Sequence, residues 1–176
     1  MAHFARIEQQ PNEFTNELEW KVQECIVISN DVPTSNGPLG ENDMHPDGEA
    51  YVKKLYKHMY SEDKNVWKQY SYHGNFRENA AGKSSIYLET ADKFITAQPY
   101  ASWRLGNDFA WKAPVDYPTI TEYNNPLFGQ PDEPEIVPYH IRWDEDQQNW
   151  YGSAAHLKIN QDTHVWNVNT TSWDEI

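Results

Sequence analysis

The sequence predicts a mainly β protein with a minor helical part: antiparallel hairpins and a small sheet, one short helix and a Pro-rich tether. Three observations carry this reading. First, six of the eight Trp fall in three close pairs, Trp103/Trp111, Trp143/Trp150 and Trp166/Trp173, and the last two share the spacing W-x6-W. Second, aromatic residues make up 14% of a chain that is only 38% hydrophobic, so flat side chains must supply the burial that aliphatics do not. Third, 11 Pro and 8 Gly punctuate the chain with turns, as expected of many short strands.

Taken in order, residues 3–7 alternate weakly and read as a strand, and Pro11 to Glu19 as a polar loop. Trp20 to Ile28 is the strongest strand, closing on the buried-type run Cys25-Ile26-Val27-Ile28. The lone Cys25 reads as a small buried hydrophobe and excludes an internal disulfide. Residues 30–48, dense in Pro, Gly, Asn and Asp, read as an irregular surface loop. Asp47 then caps a helix over about residues 48–60, whose stripe Val52, Leu55, Tyr56 and Met59 follows helical spacing and should face the core. Val66 to Tyr72 has strand period. Ser85 to Leu88 and Lys93 to Ile95 form a hairpin about a turn at 89–92.

Tyr100 to Trp111 forms the first Trp hairpin, turning at Gly106-Asn107-Asp108. Six of the 11 Pro then lie between 114 and 138, which marks residues 112–139 as a tether, because each Pro removes a ladder donor. Residues 140–176 hold two hairpin units, in which a four-residue loop sets Trp143 opposite Trp150 and Trp166 opposite Trp173. Cross-strand aromatic pairs contribute roughly 0.2–1 kcal/mol each, enough to hold a sheet with little aliphatic core. The predicted organisation is therefore a β-rich domain over 1–111, a linker over 112–139 and tandem hairpins over 140–176.

The charge and the motifs exclude several functions. The formal net charge is −13, and over residues 112–176 only Lys112, Arg142 and Lys158 are basic. With no Lys/Arg stripe, direct nucleic-acid binding and adhesion to an anionic membrane are not expected, since both depend on clustered cations. No basic n-region precedes an apolar stretch at the start, and no apolar run approaches the ~18 residues a membrane helix needs. The seven His are scattered (3, 45, 58, 73, 140, 156 and 164) without H-x-x-x-H or C-x-x-C spacing, so no metal is expected. His140 and His164 occupy matching places in the repeat and are either hairpin-edge residues or a pair that meets in space. The run Asp144-Glu145-Asp146 lacks the alternation, Gly and distal Glu of a Ca²⁺ loop and reads as a solvated turn. No G-x-S-x-G, P-loop or G-x-G-x-x-G occurs, no carboxylate pair is singled out, and neither catalysis nor a cofactor is expected.

What remains is surface presentation. Trp143, Trp150, Trp166, Trp173, Trp103 and Trp111 are the partner-binding or glycan-binding residues the sequence offers. Opposed Trp either fill a mini-core or interface, or form an exposed coplanar platform for sugar stacking beside Asn, Asp and Gln.

An ordered series of segments adds a resemblance. It begins with Met1-Ala2-His3-Phe4-Ala5, Cys25 to Asp31 and Gly37 to Asp43. It continues with Trp67-Lys68-Gln69-Tyr70-Ser71-Tyr72, Gly74 to Asn79 and Ala81-Gly82, and closes with Pro99 to Trp103, Trp111 to Pro114 and a Trp-turn-Trp unit. The series covers most of residues 1–120 and the Trp hairpins, and resembles small virion-associated proteins of marine tailed phages, cyanophages in particular. The chain departs from that pattern in a long loop at 9–19 and in the duplicated C-terminal hairpin. The resemblance implies a class, a structural accessory protein made in the host cytoplasm and carried in the virion. It would sit on the capsid exterior as decoration or cement, or on the tail. Its partners would be other virion proteins, the major capsid protein or tail components, through aromatic-rich contacts. The alternative is a carbohydrate-binding adhesion module that reads host surface glycan with paired surface Trp.

Overall fold

The computed structural model describes residues 1–40, 43–78, 80–131, 134–154 and 161–176. His156, one of the seven histidines, lies outside the described residues. The chain is mainly β with one short helix and antiparallel sheets, as its turn and aromatic content predicts, and it divides into two compact units, Met1–Gln98 and Pro99–Ile176.

Unit 1 is built on a five-stranded antiparallel sheet of order β5-β1-β2-β6-β7. Its strands are β1 (Ala2–Pro11), β2 (Leu18–Ile28), β5 (Val66–Tyr70), β6 (Ile86–Leu88) and β7 (Lys93–Ile95). The expected loop at 11–19 shrinks to the turn between β1 and β2. Asn12 makes that turn tight: its side-chain oxygen accepts from the N–H groups of Phe14 and Thr15, its own N–H bonds Glu17 O, and its carbonyl accepts from Asn16. The two strands therefore pair from Ala2↔Ile28 to Pro11↔Leu18, with one irregularity at Arg6/Ile7.

Both faces of this sheet are covered, so β1 is buried from either side and shows only weak alternation. On one face Ala5, Ile7, Val22 and Tyr70 pack with Tyr87, Phe94 and Ala81. On the other Ala2, Phe4 and Trp67 pack with Leu39 and Val52. The loop at 30–48 contains a two-residue ladder, β3 (Pro33–Thr34) with β4 (Gly37–Pro38), and buries Leu39 completely, so it is more than surface.

The helix is shorter than its stripe. α1 runs Gly48–Leu55, not to 60. Val52 is fully buried, yet Leu55 is 55% and Met59 68% exposed, so the stripe does not face the core as a whole. The rings of Tyr56 and Tyr60 turn onto Trp67 instead, with centroids 5.0 and 6.3 Å away, and the Tyr60 hydroxyl donates to Glu24. Asp47 occupies the N-cap position without a side-chain cap bond. Its carboxylate is taken by Ser35 Oγ (2.7 Å) and by the backbone and side chain of Asn36 (3.1 and 2.7 Å), which hold its pKa below the usual range. Cys25 is exposed, not a buried hydrophobe, and its thiol donates to the carbonyl of Ala81.

Unit 2 holds a second five-stranded antiparallel sheet, β10-β11-β12-β13-β14. Its strands are β10 (Glu122–Asn124), β11 (Ile136–Asp144), β12 (Asn149–Ala154), β13 (His164–Asn167) and β14 (Ser172–Glu175). The hairpin of β8 (Arg104–Leu105) and β9 (Trp111–Lys112) belongs to this unit, so the boundary falls at 98/99, not at 111/112. The stretch 112–139 is no tether. Pro118 is buried, β10 pairs with β11, and β11 starts inside the stretch at Ile136. Pro138 fits within β11 because Tyr139 directs its N–H to Thr121 on the β10 side. Successive backbone donors alternate in direction, so the missing N–H of Pro138 faces the other way, past the last described pair with β12, Tyr139↔Ala154.

Candidate functional site

The Trp hairpins form as the W-x6-W spacing predicts. Trp143 lies opposite Trp150 and Trp166 opposite Trp173, each pair closed by four loop residues between Asp144↔Asn149 and Asn167↔Ser172. Cross-strand neighbours share a face, and so do alternate residues along a strand. Tyr123, Tyr139, Ile141, Trp143, Trp150, Gly152, His164, Trp166 and Trp173 therefore all project from one side of the sheet.

Their rings meet edge to face. The two pairs have centroids 5.1 and 5.3 Å apart, both at 69° between planes. Trp103 inserts against Trp143 and Trp150 at 6.1 and 5.9 Å, and Tyr117 against Trp150 at 4.9 Å. Two indole N–H groups are tied down from outside the hairpins, Trp150 to Val115 O (2.9 Å) and Trp173 to Ile120 O (2.7 Å), and Trp143 bonds Glu145 of its own turn (2.8 Å). The supposed tether thus supplies the acceptors for two of the tryptophans. Gly152 lies under the Trp173 ring, which leaves little room there for a Cβ: one would come within 3.2 Å of two ring carbons.

This geometry decides what the predicted site residues can do. Trp143, Trp150 and Trp166 are 4, 7 and 4% exposed and form the core of unit 2, with Trp103 and Trp173 half-buried against them. These three indoles are packed inside unit 2 and present little surface to a partner or a sugar. Nor is either hairpin pair coplanar, as a stacking platform requires. Trp111 is half-buried opposite Leu105 in the β8–β9 hairpin, outside the core cluster.

The polar residues singled out in the sequence are likewise absorbed locally. His164 shares the aromatic face, 5.2 Å from the Tyr139 ring, while His140 projects from the opposite face, so the two do not meet. In the acidic turn, Asp144 accepts from Gln147 N and Arg142, and Glu145 turns inward to receive Trp143 Nε1, Ser102 N and Ser102 Oγ. Those donors, Trp143 foremost, lower the pKa of Glu145. The turn is structural rather than merely solvated.

Two further polar clusters in unit 1 carry no sequence signature. Arg77, its side chain buried, bonds Glu49 (2.5 Å), Asp92 (2.6 Å) and the carbonyl of Gln69 (2.6 Å), and Tyr87 donates to Asp92 (2.6 Å). Burial pushes the Asp92 carboxyl up, but the bonds from Tyr87 and Arg77 outweigh it and hold the pKa low. Arg6 pairs with Glu8 and with Glu24 (2.5 Å), and its guanidinium covers the Tyr60 ring at 4.2 Å. In both clusters one guanidinium bridges two carboxylates, so the partners are engaged with one another. Among the described residues no group of three His, Cys, Asp or Glu could hold a metal ion.

Several large apolar side chains also stand at the surface. In unit 1, Leu18, Val27, Met44, Leu55, Met59 and Tyr72 stand exposed; in unit 2, Tyr117, Phe128, Ile136 and Val168 do. No helix among the described residues is long and apolar enough to cross a membrane. No family model, curated protein or solved structure matches the chain.

Proposed function

We propose that this chain is a structural accessory protein of a tailed-phage virion. It would attach to the capsid exterior as a decoration or cement subunit, or to the tail, and act through protein–protein contacts. The observation that carries the reading is the division of labour among the side chains. The two Arg–carboxylate clusters are bonded internally and the Trp hairpins hold unit 2 together, while large apolar residues remain outside on both units. Exposed apolar side chains of this size are what contact surfaces use. The order of segments through residues 1–120, similar to that of marine phage virion proteins, supports the same class. The contact residues are then Leu55 and Met59 at the end of α1 and Phe128 and Ile136 beside β10, not the hairpin tryptophans.

The test is loading. Particles lacking the protein are incubated with wild-type chain or with Leu55→Ser/Met59→Ser and Phe128→Ser/Ile136→Ser variants. The bound amount is measured after sedimentation. These residues are exposed, so the variants keep the fold, and circular dichroism checks that they do. The expected result is at least about a tenfold loss of binding in one double variant, the equivalent of about 1.4 kcal/mol. Undiminished loading by both, with heat resistance of the particle unchanged, contradicts the reading.

A further inference from the structure

The sequence directs the search for a sugar site to the Trp pairs, of which the structure buries Trp143, Trp150 and Trp166. The structure opens another position. Trp20 lies on β2 in the middle of its sheet, between Gln9 of β1 and Tyr87 of β6. The ring packs partly on the unit 1 core beside Val66 and is otherwise half-buried. What remains open lines a cleft of about 340 Å³ with Val66, Gln9, Glu8, Asp63 and Lys64. Neither the indole N–H of Trp20 nor the side-chain amide of Gln9 has a hydrogen-bond partner among the described residues. This sets Trp20 apart from Trp67, Trp143, Trp150 and Trp173, whose N–H groups are all bonded inside the protein.

We propose that this cleft binds one neutral sugar unit, its apolar ring face on the Trp20 indole and its hydroxyls on the rim. The chemistry of the lining selects that class. An apolar wall with a few polar groups beside it is the usual make-up of a small-ligand site, and this one lies at the lower end of the roughly 300–1,000 Å³ range. That size suits a terminal sugar or a disaccharide. The rim offers both kinds of hydrogen bond a hydroxyl needs: an amide at Gln9, a carboxylate at Asp63 and an ammonium at Lys64. Glu8 is engaged by Arg6. The hydroxyl of Ser61, through its hydrogen bond, keeps Asp63 ionised, hence an acceptor. With Arg6 held on Glu8 and Lys64 beside Asp63, the rim has no excess of cations, and on a chain of net charge −13 nothing selects phosphate, sulfate or a nucleotide. The strand register on both sides of Trp20 fixes the backbone that carries the ring, so the platform exists before ligand arrives.

The test uses the full chain labelled with ¹⁵N, in which the Trp20 indole N–H is assigned by its absence in Trp20→Phe. Methyl glycosides of glucose, galactose and mannose, N-acetylglucosamine and their disaccharides are titrated singly to about 20 mM, above the millimolar Kd expected of one stacked sugar. The proposal expects at least one to move the Trp20 indole signal saturably. It also expects Gln9→Ala and Asp63→Asn each to weaken that sugar at least threefold, and Trp20→Ala to abolish binding. Because Trp20 also touches the core, the rim variants carry the decision if Trp20→Ala fails to fold. No movement with any sugar, movement confined to the unit 2 tryptophans, or full binding by both rim variants overturns the proposal. So does tighter binding of sulfated or phosphorylated sugars than of neutral ones. None of these outcomes bears on particle attachment, which is tested by loading.

Discussion

Trp150 is the place where the account of unit 2 can be made quantitative. It is 7% exposed, touches the rings of Trp143, Trp103 and Tyr117, and donates its N–H to Val115 across the stretch that the sequence suggests is a free linker. Two substitutions separate these roles. Trp150→Phe keeps a ring but removes the donor, leaving the Val115 carbonyl short of a partner at a cost of about 1–2 kcal/mol. The smaller ring adds roughly 1 kcal/mol of lost packing. Trp150→Ala removes both and should cost about 3–5 kcal/mol, a large share of the 5–15 kcal/mol typical of a folded domain. The assay is native-state hydrogen exchange, because it reads the two units separately. Amides of β11 and β12 should lose protection by those amounts, and the amides of residues 112–121 should lose it with them. Amides of β1 and β2 should not change. Loss below about 0.5 kcal/mol in Trp150→Ala, the size of an ordinary surface substitution, would refute the claim that this ring is core. Protection of 112–121 that does not respond would refute the claim that the segment is docked through it.

Four further outcomes follow from the same contacts. Gly152→Val places a branched side chain against the Trp173 ring, where even a Cβ would lie at 3.2 Å. It should destabilise unit 2 by about 2 kcal/mol despite the better strand propensity of Val, and a stabilised variant in urea unfolding contradicts the packing. Arg77→Met leaves Glu49 and Asp92 without their shared cation; the two acids are partly solvated, so the cost should be about 2 kcal/mol, below that of a fully buried pair. The carboxyls of Glu24, Asp92 and Glu145 have pKa values below their ordinary ones, so the stability they contribute is complete above the ordinary carboxylate range. That stability is lost as pH falls through the lowered values. Thermal unfolding should be flat from neutrality to about pH 5 and fall steeply below about pH 4, and a midpoint that rises on acidification contradicts these assignments. Cys25 is exposed, but burial of its thiol raises its pKa, so alkylation at pH 8 should be slower than that of a free cysteine in solution. An equal rate contradicts this.

The hairpins were legible because their signal is local. Loop length and register follow from W-x6-W alone, and the β6–β7 turn is equally short range. The fate of the Trp faces was not legible, because it depends on what covers them. Trp103 comes from the preceding hairpin, and Tyr117 and the carbonyls of Val115 and Ile120 come from a Pro-rich stretch whose composition suggests extension; no local pattern shows that either folds onto the Trp pairs. The helix end at Leu55 was hidden for a similar reason. Spacing continues through Met59, but Tyr56 and Tyr60 answer to Trp67 and Glu24 on other strands. Trp20 drew no notice as a site because it belongs to no pair. Its neighbours Asp63 and Lys64 approach from a turn more than 40 residues along the chain.

The central claim is that the chain is a virion part. If the proposal holds, the chain is encoded by a tailed phage, and the most direct measurement is quantitative mass spectrometry of that phage's purified particles, before and after heads are separated from tails. The account predicts a fixed stoichiometry that survives purification, with the copies following one of the two fractions. Hundreds of copies with heads identify a decoration or cement subunit, and a few to tens with tails identify a tail component. Absence of the chain from washed particles contradicts the account.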